Sequence, residues 1–139
     1  MSRQVASPSG MPPPETVTSL HGRDIDLVAL ARDACASYAT EFPDERERYG
    51  AAGMDWCRHD CQHLVNWGVL SLTAGLDYEA QLGWLARVLE ARDFPLERLV
   101  RCLELLAQAV RDSVPDEPEV AARLAGGAAF VASRPTFLA

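Results

Sequence analysis

The sequence predicts an all-α domain of about five helices behind a disordered N-terminal leader. Three observations lead there. From Arg23 onward, apolar residues recur every three or four positions, the period of one helical face. No run of alternating β-branched residues is long enough for a strand. Prolines and glycines punctuate the pattern, leaving linkers of only two to five residues around 75 and 94. Such short linkers pack striped helices into a compact array.

Residues 1–23 read as the leader: Pro8, Pro12, Pro13 and Pro14 stand among Ser, Gly and Thr, and little there packs. The first helix is expected over 24–40. Its stripe is Val28, Ala31, Cys35 and Tyr38, and Asp24 and Asp26 suit its positive N-terminal end. Pro43 ends it, and a charged stretch leads to Gly50 and Gly53. The second helix spans about 52–74 and stops at Gly75, a residue suited to follow a helix. The third, about 77–92, carries Tyr78, Leu82, Leu85 and Leu89. The fourth begins at Pro95, which fits a first-turn position, and carries Leu96, Leu99, Val100, Leu103, Leu106 and Val110. Pro115 and Pro118 precede a fifth helix over about 117–132, marked by Val120, Leu124 and Val131. The domain is thus expected over 24–133, with 134–139 as a tail.

The chain has 139 residues, 13 basic and 20 acidic, for a net charge of −7. That length fits one domain. Every basic residue is Arg, which removes Schiff-base and P-loop lysine chemistry. The acidic balance argues against nucleic acid, which needs a basic patch to displace phosphate counterions. No apolar stretch reaches the ~18 residues of a membrane helix. The first residues show no apolar core of a secretory signal. A cytoplasmic protein is the expectation, and its four cysteines are then expected as thiols.

The densest chemistry is MDWCRHDCQHLVNW, residues 54–67. At ~100° per residue, Cys57, Asp60, Cys61 and Leu64 share one face. His59 and His63 lie one turn apart, well around from Cys57, and Trp56 and Trp67 flank His63. A zinc site of two Cys and two His fits poorly, because the pairs point to opposite sides of one helix. The bland reading of both histidines is a solvated or core-edge imidazole. Asp60 shares an inward face with two cysteines and needs donors there, since burying a carboxylate unpaired costs several kcal/mol. An arginine on a neighbouring helix or the N–H groups of a ligand would serve.

At these residues the sequence resembles the phycobiliproteins, the globin-like family that holds linear tetrapyrroles. That family carries C-x-R-D on a helix that ends in A-G; here Cys57-Arg58-His59-Asp60 precedes Ala74-Gly75. Upstream, Glu41-Phe42-Pro43-Asp44, Tyr49-Gly50 and Gly53 follow the family's turn and glycine-rich loop. Downstream, Pro95-Leu96-Glu97 and the helix Leu99 to Val110 follow its later turn and helix. The similarity covers about residues 24–133.

The resemblance implies a globin-like helical array and several residue roles. Cys57 matches the cysteine that forms a thioether to the bilin. Asp60 matches the aspartate that accepts hydrogen bonds from the central pyrrole N–H groups. His63 takes a position usually held by Tyr beside the chromophore. The family's propionate-pairing arginine is replaced by His59, with Arg58 one residue early. Trp56, Trp67 and Trp84 are candidates to wall a flat ligand, although tryptophans on helices are more often core. The family's extra N-terminal assembly helices have no counterpart in the Pro-rich leader. The similarity is therefore closer to globins of non-photosynthetic bacteria associated with bilin metabolism. The expected function is binding or carrying a bilin, such as biliverdin or phycocyanobilin, outside light harvesting. Alternatives are heme, with His63 or His59 as axial ligand, and a ligand-free sensory or interaction domain, with a homodimer possible. No enzyme is expected: Cys57 and His63 lie on different faces and form no dyad. Cys35 and Cys102 read as packing thiols.

Overall fold

A computed structural model describes residues 11–138. Five helices follow a two-stranded antiparallel hairpin: β1 (Val17–Leu20), β2 (Arg23–Asp26), α1 (Leu27–Glu41), α2 (Glu45–Thr73), α3 (Tyr78–Ala91), α4 (Leu96–Ser113) and α5 (Pro118–Ala132). No helix among the described residues is long and apolar enough to cross a membrane.

The hairpin corrects the expectation of a disordered leader over 17–23; residues 1–10 of that leader lie outside the described residues. His21 and Gly22 both adopt positive φ, 53° and 79°. That backbone matches the twist of flanking strands in a two-residue hairpin. Leu20 and Ile25 are buried on its inner face. Arg23 pairs with Asp116 and His21 with Glu117, fixing the hairpin to the start of α5. β2 therefore takes the residues expected as the first turn of α1. The Asp26 side chain accepts from the Ala29 amide, so the cap lies there.

α1 buries Leu27, Leu30, Ala31, Ala34, Cys35 and Tyr38, while Val28 faces solvent. α2 starts earlier than its stripe suggests, at Glu45, because Gly50 (φ 67°, ψ −167°) turns one short helix into the next. The expected start near 52 is the helix beyond that bend. Such backbone is open to glycine and strained for other residues. Arg98 from α4 holds the beginning of α2, donating to Asp44 at 2.9 Å and to Glu45 at 2.5 Å. Burial lowers the basicity of the Arg98 guanidinium, but these two carboxylates outweigh it and raise its pKa.

α3 is capped by Asp77, which accepts from the Ala80 amide, and buries its whole expected stripe. α4 carries the most clearly two-sided pattern and packs chiefly on α5 and α1. α3 and α5 approach closely at Gly127, where a Cβ would stand 2.8 Å from the Tyr78 ring. The expected tail is docked rather than loose. The Phe137 amide and the Thr136 hydroxyl each donate to Glu90 at 2.7 Å, and Phe137 is buried.

Candidate functional site

A half-open cavity of about 280 Å³ lies among α1, α2, α3 and α4. Its lining is mostly apolar: Leu64, Leu85, Leu89, Phe94 and Leu99 form the walls. α2 contributes the polar part. Trp56, Cys57, Asp60 and Cys61 all face it, as the helical period places them. Tyr49, just before the Gly50 bend, completes one side, and Arg92 is the one cation among its lining residues.

Two donors in this lining have no partner. The Tyr49 hydroxyl and the Trp56 Nε1–H are buried and bond to nothing among the described residues. A buried unsatisfied donor costs about 1–3 kcal/mol, and native interiors leave few of them. Asp60, by contrast, is engaged: the His59 imidazole Nδ1 lies 3.2 Å from its carboxylate.

The cysteines correct another expectation. Cys35 and Cys57 form a disulfide between α1 and α2, so two of the four are not thiols. Cys61 and Cys102 remain free and buried, with their sulfurs 3.3 Å apart. The hydrogen bond to Cys102, together with burial, holds the Cys61 thiol well above its usual pKa. It is therefore a poor nucleophile. The Tyr38 phenol is likewise pushed up, by burial and by its 2.7 Å hydrogen bond to Glu45.

Of the residues expected to contact a chromophore, the cavity brings together Trp56, Cys57 and Asp60 and leaves five outside its lining. Arg58 points to solvent and pairs with Asp55 at 3.0 Å. His59 bridges to Asp60 from beside the cavity and meets the His63 ring edge-on at 5.0 Å. His63 is on the far face of α2, where its Nε2–H donates to the Pro12 carbonyl at 2.9 Å. Burial lowers the His63 pKa, partly opposed by that carbonyl. Trp67 is buried against His63 at 5.6 Å. Trp84 lies at a separate surface hollow with Arg87, Phe130 and Phe137.

Helical spacing carries no sign that Tyr49 and Trp56 hold unpaired donors, or that Cys35 and Cys102 neighbour Cys57 and Cys61. One signal was present for the sulfurs: each of the four cysteines sits on the inner face of its helix. Compared with protein-family models, curated proteins and solved structures, the chain matches none.

Proposed function

We propose that this domain binds a flat, ring-bearing small molecule in the cavity beside α2, and that the ligand is a linear tetrapyrrole carried outside light harvesting. A phycobiliprotein-like, globin-like arrangement of the helices is part of this reading. The observation that carries it is one mostly apolar cavity whose lining includes Tyr49 and Trp56, residues whose buried O–H and Nε1–H have no partner among the described residues. Binding sites of this kind are apolar hollows with a few placed polar groups. The carbonyl oxygens of a bilin are suitable acceptors, its pyrrole N–H groups suit Asp60, and Arg92 suits a propionate carboxylate. The volume, about 280 Å³, is at the small end of ligand pockets. It takes one or two rings, and the remainder of a tetrapyrrole would lie along the mouth. Cys57 is occupied by Cys35, so the reading is non-covalent carriage, with a thioether requiring reduction first. Heme is the weaker reading, because neither His59 nor His63 is among the lining residues.

Titration of the purified chain with biliverdin tests this. A red-shifted, sharpened absorption band is expected, together with quenching of tryptophan fluorescence. Trp56→Phe and Tyr49→Phe should each weaken binding by roughly tenfold, the worth of one hydrogen bond. Absence of any spectral change with biliverdin and phycocyanobilin sinks the tetrapyrrole assignment.

A further inference from the structure

All four cysteines of the chain converge in the core from three helices. Cys35 comes from α1, Cys57 and Cys61 from successive turns of α2, and Cys102 from α4. Cys61 is the hub: its Sγ lies 3.8 Å from that of Cys35 and 3.3 Å from that of Cys102. The sulfurs of Cys35, Cys57 and Cys61 all fall within 4.8 Å of one another. Four thiolates around one tetrahedral zinc ion, each Zn–S bond ~2.3 Å, stand ~3.8 Å apart along every edge. The Cys61–Cys35 separation equals that edge and the Cys61–Cys102 separation is shorter. Cys102 stands outside the group of three mutually close sulfurs, so its side chain must turn toward Cys35 and Cys57 to close the site. Iron–sulfur clusters need wider frames than one ion does, and no acidic or imidazole ligand is required here. Packing alone does not call for the sulfurs to touch, since small apolar side chains fill such positions equally well.

We propose that, once the Cys35–Cys57 bond is reduced, Cys35, Cys57, Cys61 and Cys102 form a closed tetrahedral site for one thiophilic metal ion, with Zn²⁺ as the fitting species. The reductant is a thiol or dithiol. It supplies two electrons and two protons, is itself oxidised to a disulfide, and leaves four protonated cysteines. The metal then takes the place of the thiol protons, which pass to solvent. No electron moves at the metal. The disulfide and the metal site are mutually exclusive, because both use the sulfurs of Cys35 and Cys57. A covalent bilin on Cys57 would exclude the metal as well, whereas a non-covalent ligand would not. The site shares a wall with the ligand cavity, but the inference does not depend on any bilin being bound.

The test uses the full chain, reduced with a phosphine under anaerobic conditions and titrated with Co²⁺ as a spectroscopic probe. One equivalent should bind, giving sulfur-to-cobalt charge-transfer absorption and the intense visible bands of a tetrahedral site. Zn²⁺ should displace it. Mass spectrometry after alkylation should find all four cysteines protected by Zn²⁺ and modified without it. The oxidised chain should give none of these signals. Cys102→Ser should lower the affinity by roughly 100-fold or more, because even residues behind the ligands are worth 10–100-fold. Cys102 is in the core, so the wild-type protection experiment decides the matter if that variant fails to fold. Two results overturn the proposal: no thiolate–cobalt absorption from the reduced wild type, or metal binding that is lost in a His59→Ala/His63→Ala variant while the cysteines remain open to alkylation.

Discussion

The two faces of α2 make an instructive contrast. On one, His59, Gln62, His63 and Trp67 look chemically rich, yet each has a partner within the chain. His63 donates to the Pro12 carbonyl and Gln62 to the Glu15 carbonyl, His59 meets Asp60, and Trp67 covers His63. This face latches the N-terminal segment down. On the other, the Trp56 Nε1–H and the Tyr49 hydroxyl are buried with no partner among the described residues, in side chains beside a cavity and a row of sulfurs. On the proposed reading, unmet valence is a better guide to a ligand site than reactive residue type. Histidines draw the eye in a sequence, but here they are already satisfied.

The contrast is open to direct attack. The largest effect is expected on the latched face, where Trp67→Ala should destabilise the fold by about 3–5 kcal/mol without altering ligand affinity beyond the loss of folded protein. Denaturant unfolding alongside the biliverdin titration checks both halves. A large, selective loss of affinity would place Trp67 in the site after all. Next, reducing the Cys35–Cys57 bond in the presence of a chelator should lower the unfolding free energy by about 3 kcal/mol, because the bond closes a loop of 22 residues. Urea titrations with and without phosphine read this directly, and equal midpoints would remove the bond from the stability account.

Smaller and opposite in sign is the effect expected of Tyr49→Phe. It deletes an orphaned hydroxyl, so the ligand-free protein should gain up to about 1 kcal/mol in thermal unfolding while ligand binding weakens. The same direction is expected for Trp56→Phe, offset by the lost ring volume. Destabilisation by Tyr49→Phe would mean the hydroxyl is already satisfied. The smallest effect concerns acid. The hydrogen bond from Arg98 holds the Asp44 carboxyl below its ordinary 3.8. Its contribution is therefore complete above that pH and is lost as pH falls through the lowered value. Asp44→Asn should flatten that slight slope, measured by acid unfolding, and lower stability at neutral pH by the same small amount.

Helices were legible in the sequence because their signal is local. The stripe Tyr78, Leu82, Leu85 and Leu89 is buried as its spacing requires, and so are Val120, Leu124 and Val131. The shared face of Cys57, Asp60, Cys61 and Leu64 follows from the same period and does line one cavity. The hairpin leaves little trace in the sequence because its strands, VTSL and RDID, are four residues each and too polar to alternate. Only the His21-Gly22 turn announced it. The meeting of Cys35 and Cys102 with Cys57 and Cys61 was hidden for a different reason. Periodicity tells which way a side chain faces, but not which helix it meets. Similarly, the docking of Phe137 on Glu90 joins positions 47 residues apart and leaves no local trace.

The disulfide has a mechanical consequence. Between Cys35 and Cys57 the chain forms a covalent ring that contains Tyr38, Glu45, Tyr49, Gly53 and Trp56, five of the residues around the cavity. A molecule stretched from its two ends would carry tension across the sulfur–sulfur bond and bypass that ring. At ~3.3–3.6 Å per extended residue, the 22-residue separation withholds roughly 70–80 Å of contour length from the pull. The oxidised chain should thus lengthen less than the reduced one when unravelled by force, and those five cavity residues lie in the part that never feels the load.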